Sequence, residues 1–249
     1  MNSKFSTSKM SDIDRKVAYE GRNPINVAIF GSSHVAHENF SIQFQGEFRN
    51  LQKKIPGKFH LGKIMGISGA RWAGDRDKDK QLLADIKAYA LMIASECHYN
   101  GQIIIIVLGS NDTRKITRYP GRYPCHHDSN EQFLGDLGEK FNLPMLRKME
   151  IRIRGLLTSL NEISGCTVVL MSTVMIYKTQ LSFVNHMFQD LAKSYHHTQW
   201  CYVKLGEEYF RPEDGIHLQD SGLKYISKQL LKHVEYMPLK VVFNTGHVN

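Results

Sequence analysis

No stretch of this 249-residue chain stays apolar long enough to cross a bilayer, so a membrane-spanning protein is not expected. Residues 1–22 lack the apolar core of a secretory leader and mix Lys, Ser, Asp and Glu; a flexible N-terminal tail and a cytoplasmic protein are the expectation. Cysteine is scarce. Cys97, Cys125, Cys166 and Cys201 form no C-x-x-C pair, which argues against a disulfide framework and for a reduced setting. Cys125-His126-His127 has metal-ligand residue types but no second cluster at zinc-like spacing, so it reads as a polar loop, and neither metal nor cofactor is expected. There is no internal repeat and no block of five or more basic residues. Lys and Arg (32) outnumber Asp and Glu (24), giving a net charge of +8, but the excess is spread. Lys53, Lys54, Lys58 and Lys63 surround one turn, and Arg114, Lys115, Arg118 and Arg122 fall in one loop. The favoured reading is solvated surface; binding of nucleic acid is the alternative.

What is present is a globular composition, 42% hydrophobic and 22% charged, with strand and helix patterns in alternation. Ile25 to Phe30 reads as a strand and Val35 to Gln52 as a helix, with Phe40, Phe44 and Phe48 at the i, i+4 spacing of a core face. Phe59 to Met65 is a second strand and Asp77 to His98 a second helix. Ile103 to Leu108 has six apolar residues, four of them isoleucine, and is the strongest strand pattern. A loop follows from Ser110 to about Asn130, long enough to suggest a role in function. Helices over Pro144 to Leu160, Thr179 to Tyr195 and Ser221 to His233 alternate with strands at Thr167 to Met171 and Cys201 to Leu205. The pattern predicts an α/β domain over residues 23–236, with a five-stranded parallel sheet covered by helices on both faces and a C-terminal tail at 237–249.

Three of the connections carry acyl-transfer residue types: Gly31-Ser32-Ser33-His34, Gly109-Ser110-Asn111-Asp112 and Asp214-Gly215-Ile216-His217. A fourth, at Gly69, follows the second strand. All lie past the carboxyl ends of predicted strands, the edge where α/β sheets bind ligands. Ser33 would be the nucleophile and His217 the base that takes its proton. Asp214, three residues earlier, would hold the imidazole. The backbone N–H groups of Ser33 and Gly69 and the side-chain amide of Asn111 are candidate oxyanion donors. Arg71 and Trp72 beside Gly69, and Tyr119 in the long loop, could line a substrate pocket, although Trp72 could equally be core packing. Each motif also has a plain alternative: Gly31-Ser32-Ser33 as a helix N-cap, and Gly109, Asn111 and Asp214-Gly215 as turn residues.

On these residues the chain resembles the SGNH (GDSL-type) hydrolase superfamily. Its blocks are matched by Ile29-Phe30-Gly31-Ser32-Ser33, Gly66-Ile67-Ser68-Gly69-Ala70, Gly109-Ser110-Asn111-Asp112 and Asp214-Gly215-Ile216-His217, over roughly residues 26–231. The resemblance implies a flavodoxin-like three-layer α/β/α sandwich. It also implies a serine esterase acting on a small ester substrate, with the triad Ser33, Asp214 and His217 and an oxyanion hole of Ser33, Gly69 and Asn111. Family members usually carry Asp before the nucleophile, where this chain has Ser32. The wording GSSHV, GISGARW and LGSND is also similar to esterase-like domains associated with some animal retroelements. A catalytically weak module of the same fold that binds nucleic acid is the alternative function.

Overall fold

In the computed structural model, which describes residues 23–112, 143–174, 178–212 and 217–237, five strands pair side by side in parallel, the central β3 (Gln102–Val107) being the richest in β-branched residues. They are β1 (Ile25–Gly31), β2 (Phe59–Gly66), β3 (Gln102–Val107), β4 (Cys166–Met171) and β5 (Thr198–Cys201), in the order β2-β1-β3-β4-β5. The described helices are α1 (Ser33–Ala36), α2 (Glu38–Lys54), α3 (Asp77–Ala94), α4 (Leu143–Asn161), α5 (Lys178–Ser194) and α6 (Asp220–Tyr236).

Strand side chains alternate between two cores, as the two-residue period of a strand requires. Ala28, Phe30, Ile104, Ile106, Val168 and Leu170 face Leu82 and Ile86 of α3, Ile153 and Leu157 of α4 and Phe188 of α5. Val27, Ile29, Ile103, Ile105, Val169 and Met171 face Phe40, Phe44 and Phe48 of α2 and Ile226, Leu230 and Val234 of α6. The expected three-layer sandwich with a parallel five-stranded sheet is therefore observed. Phe40, Phe44 and Phe48 stack in sequence, with ring centroids 5.7 and 6.5 Å apart, and are core as their spacing predicts. Cys166 and Cys201 are buried, which pushes both thiols up to about 12.

The structure departs from the sequence pattern in three places. The helix expected over Val35 to Gln52 is broken at His37, whose extended backbone (φ −73°, ψ 130°) separates the single turn α1 from α2. The fifth strand lies at Thr198–Cys201, not Cys201 to Leu205. Its polar, half-exposed edge residues hide the pattern, while Val203 beyond it is held in a loop by its N–H donating to Ser172 Oγ (3.0 Å). Helix α3 stops at Ala94, four residues before His98; Ser95 follows, and its hydroxyl donates to Met92 O (2.7 Å). Among the described residues no helix is long and apolar enough to cross a membrane.

Phe44 is fully buried between α2 and the sheet. Phe44→Ala is expected to lower unfolding free energy by about 3–5 kcal/mol, read as a shift of the urea midpoint at unchanged slope.

Candidate active site

Strand order sets the place of the site. The chain leaves β1 for β2 on one side and then crosses to β3 on the other, so the connections after β1 and β3 diverge and leave a crevice at the carboxyl edge. Gly31 is in register with both Gly66 of β2 and Val107 of β3. Ser33, Gly69 and Asn111 follow these three residues closely in sequence, so one edge carries all three.

Ser33 is the first residue of α1 and is half-buried. Ser32 before it is buried, and its N–H donates to Val107 O (3.2 Å). It occupies the N-cap position, yet its side chain makes no capping bond, so the plain N-cap reading does not describe what that hydroxyl does. Gly66 makes the placement of α1 possible: a Cβ there would stand 2.0 Å from Ala36 N, so any larger residue would push the turn off the sheet.

The segment between β2 and α3 is bonded along its length. Gly69 has φ +72°, a conformation glycine tolerates better than other residues. The Gly69 carbonyl accepts from Arg76 Nη2, and the Ser68 carbonyl from Lys78 Nζ (2.8 Å). Two buried carboxylates grip the inner side. Asp79 accepts the N–H of Arg71 (2.8 Å), the N–H of Arg76 (3.2 Å) and the Arg76 guanidinium (2.8 Å). Asp112 accepts the N–H groups of Trp72 and Ala73, both at 2.8 Å. From α4, Arg152 donates to the Gly74 carbonyl and to Asp75 (2.7 Å), and Lys148 also pairs with Asp75. Sequence reasoning assigned no role to Asp79 or Asp112; the presence of Asp112 in the Gly109-Ser110-Asn111-Asp112 motif was the available signal.

Asn111 lies in the short helical turn that begins at Ser110 after β3, and its side-chain amide donates to Ala70 O (3.2 Å). An amide has two N–H bonds, so one remains for another acceptor. Among the described residues the backbone N–H groups of Ser33 and Gly69 make no hydrogen bond.

His217 comes to the same edge from the far end of the chain. Its ring centroid is 6.0 Å from that of His34, the neighbour of Ser33, and its carbonyl accepts the Arg211 N–H (2.8 Å). Two long-range contacts hold this segment against the first motif: Arg211 Nη2 lies 2.8 Å from His37 Nε2, and Asn39 Nδ2 donates to Asp220 Oδ1 (2.8 Å). The Ser33 hydroxyl has no hydrogen-bond partner among the described residues. Asp214, Tyr119 and Cys125-His126-His127 lie outside the described residues. Trp72 takes the core alternative: it is 1% exposed, and its indole N–H donates to Leu108 O (3.2 Å). Arg71 is partly exposed at the same loop.

No protein-family model matches the sequence, and no curated protein matches it. Solved structures do. TesA superposes with a TM-score of 0.56 at 13% identity, covering 84% of this chain and 97% of that one. An acetyl xylan esterase, Est2A from the rumen bacterium Butyrivibrio proteoclasticus, gives 0.49 at 12% identity over 84% and 63%. A carbohydrate esterase described as having divergent catalytic and non-catalytic binding functions gives 0.48 at 15% over 89% and 71%. At such identities the likeness to TesA establishes the fold alone, and the two scores below 0.5 add no argument.

Asp79 supplies the test of this construction. Burial pushes its carboxyl up, but the Arg76 guanidinium and the N–H groups of Arg71 and Arg76 outweigh that and hold it below the usual range. A folded value below the unfolded one, about 3.9, means the contribution is complete above about pH 4 and lost as pH falls further. Asp79→Ala is expected to cost about 1–3 kcal/mol at pH 7, chiefly from N–H groups left unpaired, with the difference from the parent shrinking below about pH 4 in urea titrations.

Proposed function

We propose that the protein is a serine ester hydrolase of the SGNH type, working through an acyl-enzyme on Ser33. The observation that supports this most directly is the convergence on one sheet edge of a serine hydroxyl, two N–H groups without partners (Ser33 and Gly69) and the spare N–H of Asn111, beside the incoming His217. An ester carbonyl placed between these donors would leave its carbon facing Ser33 Oγ.

In the first step His217 takes the Ser33 proton as Oγ attacks the carbonyl carbon. The C=O bond becomes a C–O⁻, which the three N–H donors receive. Collapse expels the alcohol, protonated by His217, and leaves the acyl group on Ser33. A water then gives its proton to His217 and attacks the acyl carbon, releasing the acid and restoring the serine. Asp214, three residues before His217, is the proposed partner that fixes the imidazole tautomer. The imidazole must reach Oγ for the first transfer, a tightening that commonly accompanies substrate binding. Arg71, partly exposed beside Gly69, would suit an ester that also carries a phosphate or carboxylate.

Purified protein is expected to hydrolyse p-nitrophenyl acetate or butyrate and to be labelled by a fluorophosphonate, with both lost in Ser33→Ala. Turnover in Asn111→Ala should fall by about 10²–10³ while the protein remains folded. Wild-type activity and labelling no greater than in Ser33→Ala would overturn the proposal.

A further inference from the structure

Asp112 stands next to Asn111, yet the acyl-transfer steps give it nothing to do. Its carboxylate is completely buried and spends both oxygens on adjacent peptide groups: Oδ2 accepts from Trp72 N–H and Oδ1 from Ala73 N–H. Only an ionised carboxylate presents two acceptor oxygens to two neighbouring donors. An asparagine in the same place would turn an NH₂ toward one of them, and a protonated carboxyl would turn an O–H toward one of them.

The surroundings do little to favour the charge. Among the described residues, the charged groups acting on it are Arg71 and Arg76 of the loop and Asp79 of α3, the last of like sign and itself occupied by Arg76. From α4, Arg152 reaches the opposite side of the loop, at the Trp72 and Gly74 carbonyls. Just past β3 on this side stands the uncharged Leu108, whose carbonyl takes the Trp72 indole.

We propose that Asp112 is the positioning residue of the oxyanion hole: its ionised carboxylate fixes the peptide planes of residues 71–73, and through them the Ala70 carbonyl that orients the Asn111 amide. This rests on the acyl-transfer reading above. Fixing Trp72 and Ala73 sets where the chain leaves Ala70, and Ala70 O is 3.2 Å from Asn111 Nδ2. It also sets the distance between this loop and the nucleophile turn, since Ile67 N–H donates to Gly31 O (3.0 Å) at the other end of the segment.

The cost of the charge supports the same conclusion. Burial pushes the Asp112 carboxyl up to about 6 in spite of its two N–H bonds. With the folded value above the unfolded one, this group favours folding most below about pH 4, and that contribution is lost as pH rises through about 6. At neutral pH the charge is thus kept against the interest of stability, and what it supplies in return is geometry.

Trp72 reports on the clamp directly. The chain has two tryptophans, so in a Trp200→Phe background all indole emission comes from Trp72. Between pH 8 and 5 that emission should pass through one transition near pH 6 while the helical circular dichroism is unchanged. The transition should persist in His217→Ala and in Ser33→Ala and be missing in Asp112→Asn. At pH 8, Asp112→Asn should label with fluorophosphonate at least tenfold more slowly than the Trp200→Phe parent, and lose kcat with KM within twofold. Flat Trp72 emission in the parent overturns the proposal, as does labelling of Asp112→Asn at the parent's rate. If Asp112→Asn fails to fold, the parent's own titration decides. A parent that neither labels nor hydrolyses defeats the acyl-transfer reading and with it the catalytic purpose of the clamp, while the emission curve still decides whether Asp112 holds the loop.

Discussion

The candidate site hangs from the register of three parallel strands. Gly31 lies opposite both Gly66 and Val107, so the chain exits from β1, β2 and β3 begin on one line. The continuous apolar runs of β1 and β3 fix that register by filling two cores at once; a slip of one residue would exchange the faces of every side chain. Ser33, Gly69 and Asn111 each need only a few residues to reach the same crevice. The Ser33 turn can lie flat on this edge because Gly66 has no side chain to lift it.

Upon that frame, two buried carboxylates complete what strand pairing cannot reach. The segment from Ile67 to Arg76 has no regular structure to satisfy its peptide groups, and buried N–H groups require acceptors. Asp79 and Asp112 provide them in different ways. Asp79 shares its charge with Arg76 and lies below the usual carboxylate range, whereas Asp112 has, among the described residues, only peptide N–H groups at bonding distance and is pushed up to about 6. One loop therefore rests on two carboxylates shifted in opposite directions.

Much of this was legible in the sequence, and for a physical reason: buried parallel strands advertise themselves as unbroken apolar runs. β1, β3 and β4 were readable in this way, as was the phenylalanine stripe of α2, and the motif residues followed from their places after strands. What escaped was whatever depends on contact rather than periodicity. His37 interrupts a helix whose apolar spacing runs on without a break, and β5 is an edge strand too polar to stand out. Trp72 looked equally fit for a pocket or a core until its indole was seen to reach Leu108 O. Asp79 and Asp112 drew no role because nothing in a linear pattern shows that they are enclosed.

The contacts between the first and last motifs bear on when the site comes into being. Asn39 and Asp220 are partners 181 residues apart, and α6 packs on α2 across the same face of the sheet. A ribosome adds about 5–20 residues per second, so on the order of ten seconds or more separates synthesis of Ser33 from synthesis of His217. Throughout that interval the nascent chain carries the Ser33 turn without the segment that brings the His217 ring beside His34. The segment that carries His217 can therefore reach the Ser33 turn only once α6 docks on α2, and a chain cut short before it would carry the fold's strongest strands without that contact.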